Sequence, residues 1–230
     1  MLARLAATLA SLDTAQPQAE RLCQAIPRLT GADGAALTLE YSSDHRTTLC
    51  ATDGVAEGLE NLQEVLGQGP GFRAVSTREI VVFQFGEDPD TQWPLLAQAI
   101  DEQFGRLTLY AIPIVVAGQL PGIVTLYLRQ GGQLSASLEQ SQFLVNAIGM
   151  ALLDEVQLSD DDDGLSGAWN NRVVVHQATG MIMAQLSCPS DDALALLRGH
   201  AYAHETDIYD IAKRVVDQHI NFSHFRVEGD

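Results

Sequence analysis

The spacing of apolar side chains divides the chain into a mixed part, residues 1–157, and a helical part after residue 165. In the mixed part, segments with apolar residues three or four positions apart, typical of helices, are separated by short segments of apolar and polar alternation, typical of strands. After a first helix, the predicted order is helix, strand, strand, helix, strand, helix, strand, strand, helix. Because short turns join neighbouring strands, the pattern predicts an α+β fold with an antiparallel sheet and flanking helices.

The segments of the mixed part can be delimited from this spacing. The predicted helices cover 1–10, 17–29, 55–66, 93–104 and 137–157, and the predicted strands cover 34–40, 47–52, 80–85, 108–116 and 122–128. The glycine-rich segment 67–71 is interpreted as a structural turn, because it lacks the lysine and the following serine or threonine of a phosphate-binding P-loop. The first segment is interpreted as an amphipathic helix because Arg4 interrupts it, and a secretory signal is the alternative.

The stretch from Asn170 to Val216 has the spacing of three short helices. We expect one face of the first helix, which begins at Arg172, to pack against the other two. That face carries apolar and small groups three or four residues apart: Val173, Val174, the stem of Gln177, Gly180, Met181 and Ala184. The other two helices begin at 189–192 and 206–207, where side-chain oxygens can cap free backbone N–H groups. The stretch therefore predicts a separate all-α, three-helix domain.

Composition makes the chain strongly acidic. Thirty acidic residues against 13 basic ones give a net charge of −17, and Lys213 is the only lysine. This charge favours solubility and argues against a nonspecific polyanion binder or a membrane-surface protein. No apolar run reaches the roughly 20 residues that a membrane span requires. The aspartates at 160–163 are interpreted as a solvated linker, and the alternative is that they compete with an anionic ligand for basic side chains of the last helices.

Cysteine and histidine residues indicate no metal site. Cys23, Cys50 and Cys188 are an odd number without C-x-x-C spacing, which argues against a disulfide framework or a zinc site and favours a reducing cytoplasm. His200 and His204 lie one helical turn apart, but they lack the glutamate of a zinc-protease motif. We therefore expect no bound metal and interpret the C-terminal histidines as groups that become cationic near pH 6.

Two sets of motifs resemble known families. Residues 31–128 resemble a GAF domain through the first strand, Leu66-Gly-Gln-Gly-Pro-Gly71, Trp93-Pro94 and the paired strands at 109–116 and 121–128. Residues 166–222 resemble an ANTAR domain, in the form found behind GAF domains in actinobacteria. This second resemblance is carried by His176-Gln-Ala-Thr-Gly-Met-Ile-Met, Asp192-Ala-Leu-Ala-Leu-Leu-Arg, His200-Ala-Tyr-Ala and Ile208-Tyr-Asp-Ile-Ala-Lys-Arg-Val-Val.

The resemblance implies a transcription regulator. ANTAR domains of this kind bind paired RNA hairpins in nascent transcripts and prevent formation of a terminator, and GAF domains act as sensory or dimerising modules. We therefore predict a signal-responsive, RNA-binding antitermination regulator that is not an enzyme. The candidate RNA-binding residues are charged, polar or planar side chains of the C-terminal helices: Arg172, Gln177, Thr179, Arg198, His200, His204, Tyr209, Lys213 and Arg214.

Two alternative functions depend on particular residues. Glu205 and Asp207 precede the last helix, where related ANTAR domains usually place an arginine, and each lost phosphate contact lowers affinity for RNA. The first alternative is therefore a GAF-mediated sensing or protein-interaction module whose ANTAR domain no longer binds RNA strongly. The second is reduction of methionine sulfoxide by cysteines, as in some small GAF proteins. We do not expect this chemistry, because Cys23 and Cys50 fall in a predicted helix and a predicted strand.

We expect five segments along the chain. N-terminal helices at 1–30 serve dimerisation or packing, a GAF-like sensory domain covers 31–157, an acidic linker 158–165, an ANTAR-like RNA-binding domain 166–224 and a tail 225–230. The N-terminal helices and the helix at 137–157 are expected to form the bundle of a homodimer, with buried positions that include Leu138, Val145, Ile148 and Leu152. The GAF ligand is unknown, because no His, Cys or Asp cluster around the expected pocket indicates haem, a metal or a cyclic nucleotide.

Overall fold

The computed structural model describes residues 1–42, 45–86, 92–116, 122–129, 132–158 and 166–225. Its strands are β1 (Gly34–Ser42), β2 (His45–Ala51), β3 (Val81–Phe85), β4 (Leu107–Ile114) and β5 (Gly122–Arg129). They form one antiparallel sheet in the order β2-β1-β5-β4-β3, so β2 and β3 are its edges. The predicted antiparallel sheet is confirmed, while the predicted turns at 43–44 and 117–121 lie outside the described residues.

Nine α-helices occur in the described part of the chain. Those of the N-terminal part are α1 (Leu2–Ala10), α2 (Gln18–Thr30), α3 (Gly54–Leu66), α4 (Pro70–Thr77), α5 (Pro94–Phe104) and α6 (Leu138–Leu158). The C-terminal part contains α7 (Ser166–Leu186), α8 (Ser190–Ala203) and α9 (Ile208–Val216). A 3-10 turn, Phe222–Phe225, follows them. The acidic run predicted as a linker falls in 159–165, which lies outside the described residues.

Helices α1, α2 and α6 cover one face of the sheet. Leu22 of α2 belongs to the same buried cluster as Val145, Ile148 and Leu152 of α6 and as the inward side chains of β1 and β5. We expected these three α6 positions to be buried in a bundle between two chains, but the chain's own sheet buries them. Leu138, the fourth expected position, is 43% exposed.

Helices α3, α4 and α5 cover the opposite face. Leu59 of α3 and Leu96 and Ile100 of α5 share a buried cluster with Leu109 and Ile123 of the sheet. Both faces of the sheet are therefore closed by helices, as expected for the predicted α+β fold with flanking helices.

Helix α4 was not predicted, and the interpretation of 67–71 as a turn is wrong for its second half. Gly67 has a φ of 64° and ends α3, and Gly69 has a φ of 140° just before α4. Pro70 and Gly71 already belong to α4, since proline suits the first turn of a helix. The Gly71 N–H donates to the side-chain oxygen of Gln63 at 2.8 Å, so a buried side chain of α3 fixes the start of α4.

Helices α7, α8 and α9 form the predicted three-helix unit around a small core of its own. Leu194 and Leu197 of α8 pack with Ile211 and Val215 of α9 and with Ile182 of α7. Asp207 caps α9 by accepting a hydrogen bond from the Asp210 N–H at 2.7 Å, as predicted. The side-chain cap expected for α8 is wrong, because its N-cap residue is Pro189, which has no side-chain acceptor.

The predicted packing face of α7 is wrong at four of its six positions. Val173, Gln177, Gly180 and Ala184 are exposed, while Val174 and Met181 are half-buried against the core. The buried face carries Val175, Ala178, Thr179 and Ile182. Several stripes of small and apolar residues overlap along this helix, and Gln177 and Gly180 offer little apolar area to bury. The stripe with Val175 and Ile182 buries more apolar area and therefore faces α8 and α9. The helix also begins at Ser166 rather than at Arg172.

The two parts of the chain meet at α3, which contacts α8, and at the edge strand β2, which contacts α7. Val65 of α3 is 5% exposed and belongs to the buried cluster of α7, α8 and α9 rather than to either cluster beside the sheet. A side chain of the N-terminal part therefore completes the core of the C-terminal helices.

Candidate RNA-binding surface and domain interface

The predicted RNA-binding residues separate into distinct places. His200 and His204 stack at the end of α8 with ring centroids 4.1 Å apart, and the Phe222 ring meets His200 edge-on at 5.4 Å. Arg214 of α9 lies close enough for its charge to act on His200. The structure thus brings His200, His204 and Arg214 together, which sequence spacing showed only for the two histidines.

Burial lowers the pKa of His200 below its ordinary value, and the neighbouring His204 and the charge of Arg214 lower it further. His200 therefore binds a proton less tightly than an ordinary imidazole does. The hypothesis that the C-terminal imidazoles supply positive charge near pH 6 is weakened for His200, because the neighbouring positive charge of Arg214 disfavours a second cation there.

Four candidate side chains are exposed: Gln177, His204, Lys213 and Arg214. Lys213 and Arg214 lie in the last turn of α9, where positive charge also suits the helix dipole. Tyr202, 47% exposed on α8, was not among the candidates and faces away from His200 and His204, because residues two positions apart do not share a helix face. We define the α8/α9 surface as His200, His204, Lys213 and Arg214.

Two candidates do not lie on any surface that the structure describes. Thr179 is 3% exposed, and its hydroxyl donates to the Val175 carbonyl at 2.8 Å inside α7. Its role is therefore local, because a threonine in a helix commonly satisfies its hydroxyl on the preceding turn. The side chain of Arg172 lies outside the described part of the chain.

Arg198 and Tyr209 lie at the interface between the two parts of the chain. A Cβ atom at Gly67, the residue that ends α3, would stand 3.2 Å from Nη1 of Arg198. Beside this contact is a cavity of about 630 Å³. Its walls come from the edge strand β2, from α3, α7 and α8 and from residues 205–209, and both Arg198 and Tyr209 line it.

A buried charge network anchors α3 beside this interface. Arg46 and Glu60 form a salt bridge of 2.8 Å, with each side chain 2% exposed. Glu60 also accepts hydrogen bonds from the Thr38 hydroxyl at 2.8 Å and from the Gln63 amide at 3.1 Å. The Arg46 guanidinium lies 4.5 Å above the centre of the Phe72 ring. The sequence analysis missed this network, because Arg46 and Glu60 come together only when β2 and α3 pack.

Glu64 lies one turn after Glu60 and is half-buried at the interface. Burial raises the pKa of its carboxyl to about 7, and the negative charges of Glu60 and Asp207 act in the same direction. The positive charges of Arg46 and Arg198 oppose this rise. Glu64 therefore changes its charge close to neutral pH, in contact with groups from both parts of the chain.

Comparison with known proteins identifies both parts. The model of the GAF domain matches residues 15–152, and the model of the ANTAR domain matches residues 163–216. The chain belongs to the GAF family and carries an ANTAR domain. A GAF domain is a sensor domain and an ANTAR domain is an RNA-binding antitermination domain, so the protein is a signal-responsive regulator. No curated protein sequence matches the chain significantly.

Solved structures resemble parts of the fold. A GAF domain/HD domain protein from Geobacter sulfurreducens is 16% identical, with 61% of this chain and 92% of that chain covered and a TM-score of 0.45. An RNA-binding light-oxygen-voltage receptor is 14% identical, with 80% and 46% covered and a TM-score of 0.24. The phytochrome photosensory core module of Stigmatella aurantiaca is 12% identical, with 86% and 44% covered and a TM-score of 0.43. The chain thus spans less than half the length of the last two proteins.

Two cysteines meet inside the GAF domain, which the sequence analysis did not expect. Cys23 of α2 lies against β2, with its Sγ 3.5 Å from the carbonyl oxygen of Cys50. The hydrogen bond with Cys23 and burial both raise the pKa of the Cys50 thiol. A thiol held protonated in this way is a poor nucleophile, because the thiolate is the reactive form.

Neither a metal site nor a membrane-spanning helix is found among the described residues. They contain no group of three or more His, Cys, Asp and Glu side chains that could hold a metal ion. None of the described helices is both long and apolar enough to span a bilayer. GAF and ANTAR domains are regulatory and non-catalytic, and the family thus agrees with the expectation that the protein is not an enzyme.

Proposed function

We propose that this regulator binds RNA hairpins in nascent transcripts through its ANTAR domain and thereby promotes antitermination in response to a small-molecule signal bound by its GAF domain. The observation that carries the proposal is the α8/α9 surface, where Lys213 and Arg214 stand exposed beside the stacked His200 and His204. In a chain with a net charge of −17, two adjacent cations at one end of the ANTAR domain are unusual.

The chemistry of this surface suits an RNA hairpin. Ammonium and guanidinium groups contact phosphates, and unpaired loop bases stack on planar side chains. Lys213 and Arg214 supply the first kind of contact, and the exposed ring of His204 supplies the second. Gln177, exposed on α7, is a further polar candidate, and Arg198 and Tyr209 join the surface only when the ANTAR domain leaves α3.

Selection of bound RNA from a pool of structured sequences, repeated at two salt concentrations, tests the proposal. We expect hairpins to be enriched and their affinity to fall as salt rises, because phosphate contacts release counterions. Absence of binding at low salt would favour the alternative, a sensing or protein-interaction module whose ANTAR domain does not bind RNA strongly.

Replacing Lys213 and Arg214 by glutamine is expected to weaken binding of a selected hairpin about tenfold or more. Loss of two phosphate contacts should also lower the slope of log affinity against log salt by about 2. Fluorescence anisotropy at several salt concentrations measures both quantities. The matched control is Arg73→Gln, which removes an exposed cation from α4 of the GAF domain. Equal affinities of the double variant and this control would exclude the α8/α9 surface as the RNA site.

We also propose that the protein is a homodimer joined through α1 and α6. Apolar side chains are exposed there: Leu2 at 55%, Phe143 at 50% and Met150 at 51%. Phe143 and Met150 are seven residues apart and therefore share one face of α6. Two ANTAR domains held together would engage two hairpins with a gain from effective concentration.

The variant Phe143→Glu, Met150→Glu is expected to be monomeric at micromolar concentration, because charged groups on this face would have to be buried on association. Light scattering measures the mass. The control is Leu95→Glu, which places a charge at an equally exposed apolar position of α5. A wild-type protein that is already monomeric contradicts the homodimer.

The segments 1–30, 31–157, 158–165, 166–224 and 225–230 remain our proposal for the domain organisation. Helix α2 packs on the sheet within the stretch matched to the GAF domain. We therefore assign the dimerising role to α1 and α6 and treat α2 as part of the GAF core.

A further inference from the structure

Helix α3 has two faces that touch different partners. On one face, Glu60 and Gln63 are bonded to the sheet and to the start of α4. On the other, Glu64 and Val65 meet the ANTAR domain, and Val65 belongs to its buried core. A movement of α3 relative to the sheet would therefore change the surface on which the ANTAR domain rests.

Glu64 stands among charged groups of both domains. Those that act on its pKa are Arg46 of β2, Glu60 of α3 itself, Arg198 of α8 and Asp207 at the start of α9. Glu57 and Glu205 line the same cleft. Two of these six groups are positive and four are negative, so the surroundings are already negative when Glu64 is neutral. Ionisation of Glu64 adds an uncompensated negative charge at a half-buried position, which costs free energy.

The interface leaves an open cleft beside its direct contacts. The cleft has a volume of about 630 Å³ and is lined by β2, α3, α7, α8 and residues 205–209. The direct contacts join α3 to α8 and β2 to α7, with Val65 in the core of the ANTAR helices and Arg198 beside Gly67. Contacts interrupted by an open cleft resemble the separable interfaces between domains more than a continuous core.

We propose that Glu64 is a proton-linked contact that holds the ANTAR domain on α3, and that docking withholds Arg198 and Tyr209 from RNA. The claim that docking withholds Arg198 and Tyr209 from RNA rests on the proposed function. The claim that Glu64 holds the ANTAR domain on α3 does not. In the docked form, α8 and the residues before α9 shield Glu64 from water. Leaving α3 returns its carboxyl to water and frees both side chains.

The direction of the pH dependence follows from linkage. The pKa of Glu64 is raised from 4.5 to about 7 in the docked form, mainly by burial. The docked form therefore binds the proton more tightly than an undocked form with an ordinary carboxyl. Docking is favoured below pH 7 and weakens as the pH rises through 7, by up to tenfold for each pH unit.

Small-angle X-ray scattering of the whole protein at pH 6 and pH 8 tests the docking. The wild type is expected to have a larger radius of gyration at pH 8, and Glu64→Gln, which is always neutral, is expected to stay compact at both values. Glu139→Gln, at an exposed position of α6 that does not line the cleft, is the matched control and should expand like the wild type. Val65→Ala, which removes apolar contact without changing charge, is expected to expand already at pH 6.

A wild type that does not expand, or a Glu64→Gln variant that expands equally, overturns the proposal. Measuring the affinity for a selected hairpin distinguishes the docking proposal from the proposed RNA function. If both are correct, the affinity of the wild type for the hairpin rises about tenfold from pH 6 to pH 8, and the affinity of Glu64→Gln does not change. If no RNA binds at either pH while the scattering changes as expected, the RNA function is wrong and the docking stands.

Discussion

Replacing Arg46 by methionine is expected to lower the free energy of unfolding by about 3–5 kcal/mol, because it leaves the Glu60 carboxylate buried without its cation. Both side chains of the pair are 2% exposed, and their contact is 2.8 Å long. The Thr38 hydroxyl and the Gln63 amide still donate to Glu60, but they carry no charge. Urea unfolding followed by circular dichroism measures the loss.

Two control variants make this result specific. Arg73→Met removes an exposed cation from α4 and should change the free energy of unfolding by less than about 0.5 kcal/mol. The double variant Arg46→Met, Glu60→Leu removes both charges and should recover much of the stability, since a buried ion pair contributes little beyond an apolar pair. If Arg46→Met were as stable as Arg73→Met, the ion pair would not be a buried structural contact.

Replacing Leu197 by alanine is expected to cost about 2–5 kcal/mol and to unfold the ANTAR helices selectively. Leu197 is fully buried between α7, α8 and α9, and truncation loses its apolar burial and leaves a cavity. Hydrogen exchange measured by mass spectrometry reports which helices open. We expect strong loss of protection in α7, α8 and α9 and little change in the sheet, because most of the GAF core does not touch this cluster.

The neighbouring residue provides the control. Leu196 is 41% exposed on the same helix, so Leu196→Ala makes the same chemical change at a surface position. It should cost less than about 0.5 kcal/mol. Equal effects at the two positions would mean that the three-helix core is not packed as described.

Sequence patterns predicted the sheet well because the signals are local. Alternation in β1 and the apolar run of β5 are typical of strands, and Gly31 and Gly67 end helices with the positive φ that glycine adopts easily. Helix α4 was missed because its start depends on Gln63, a residue of the preceding helix, and on the packing of Phe72 under Arg46. Such support is not visible in the spacing of residues 70–77.

The packing face of α7 shows the limit of periodicity. Two stripes of residues have helical spacing, and only the volumes of α8 and α9 decide which stripe is buried. The sequence-based choice included Gln177 and Gly180, and the structure buries Val175 and Ile182 instead. The contact between Cys23 and Cys50 is likewise invisible in the sequence, because the two cysteines meet only where α2 packs against β2.

By itself, the sequence determined the order of the elements and the two families, because helix spacing, strand alternation, caps and the ANTAR motif are properties of neighbouring residues. Only the tertiary structure decided which candidate side chains are accessible. It places Lys213 and Arg214 on a free surface and turns Arg198 and Tyr209 toward the GAF domain. It also decides the charge of Glu64, because a pKa depends on burial and on charges that are distant along the chain.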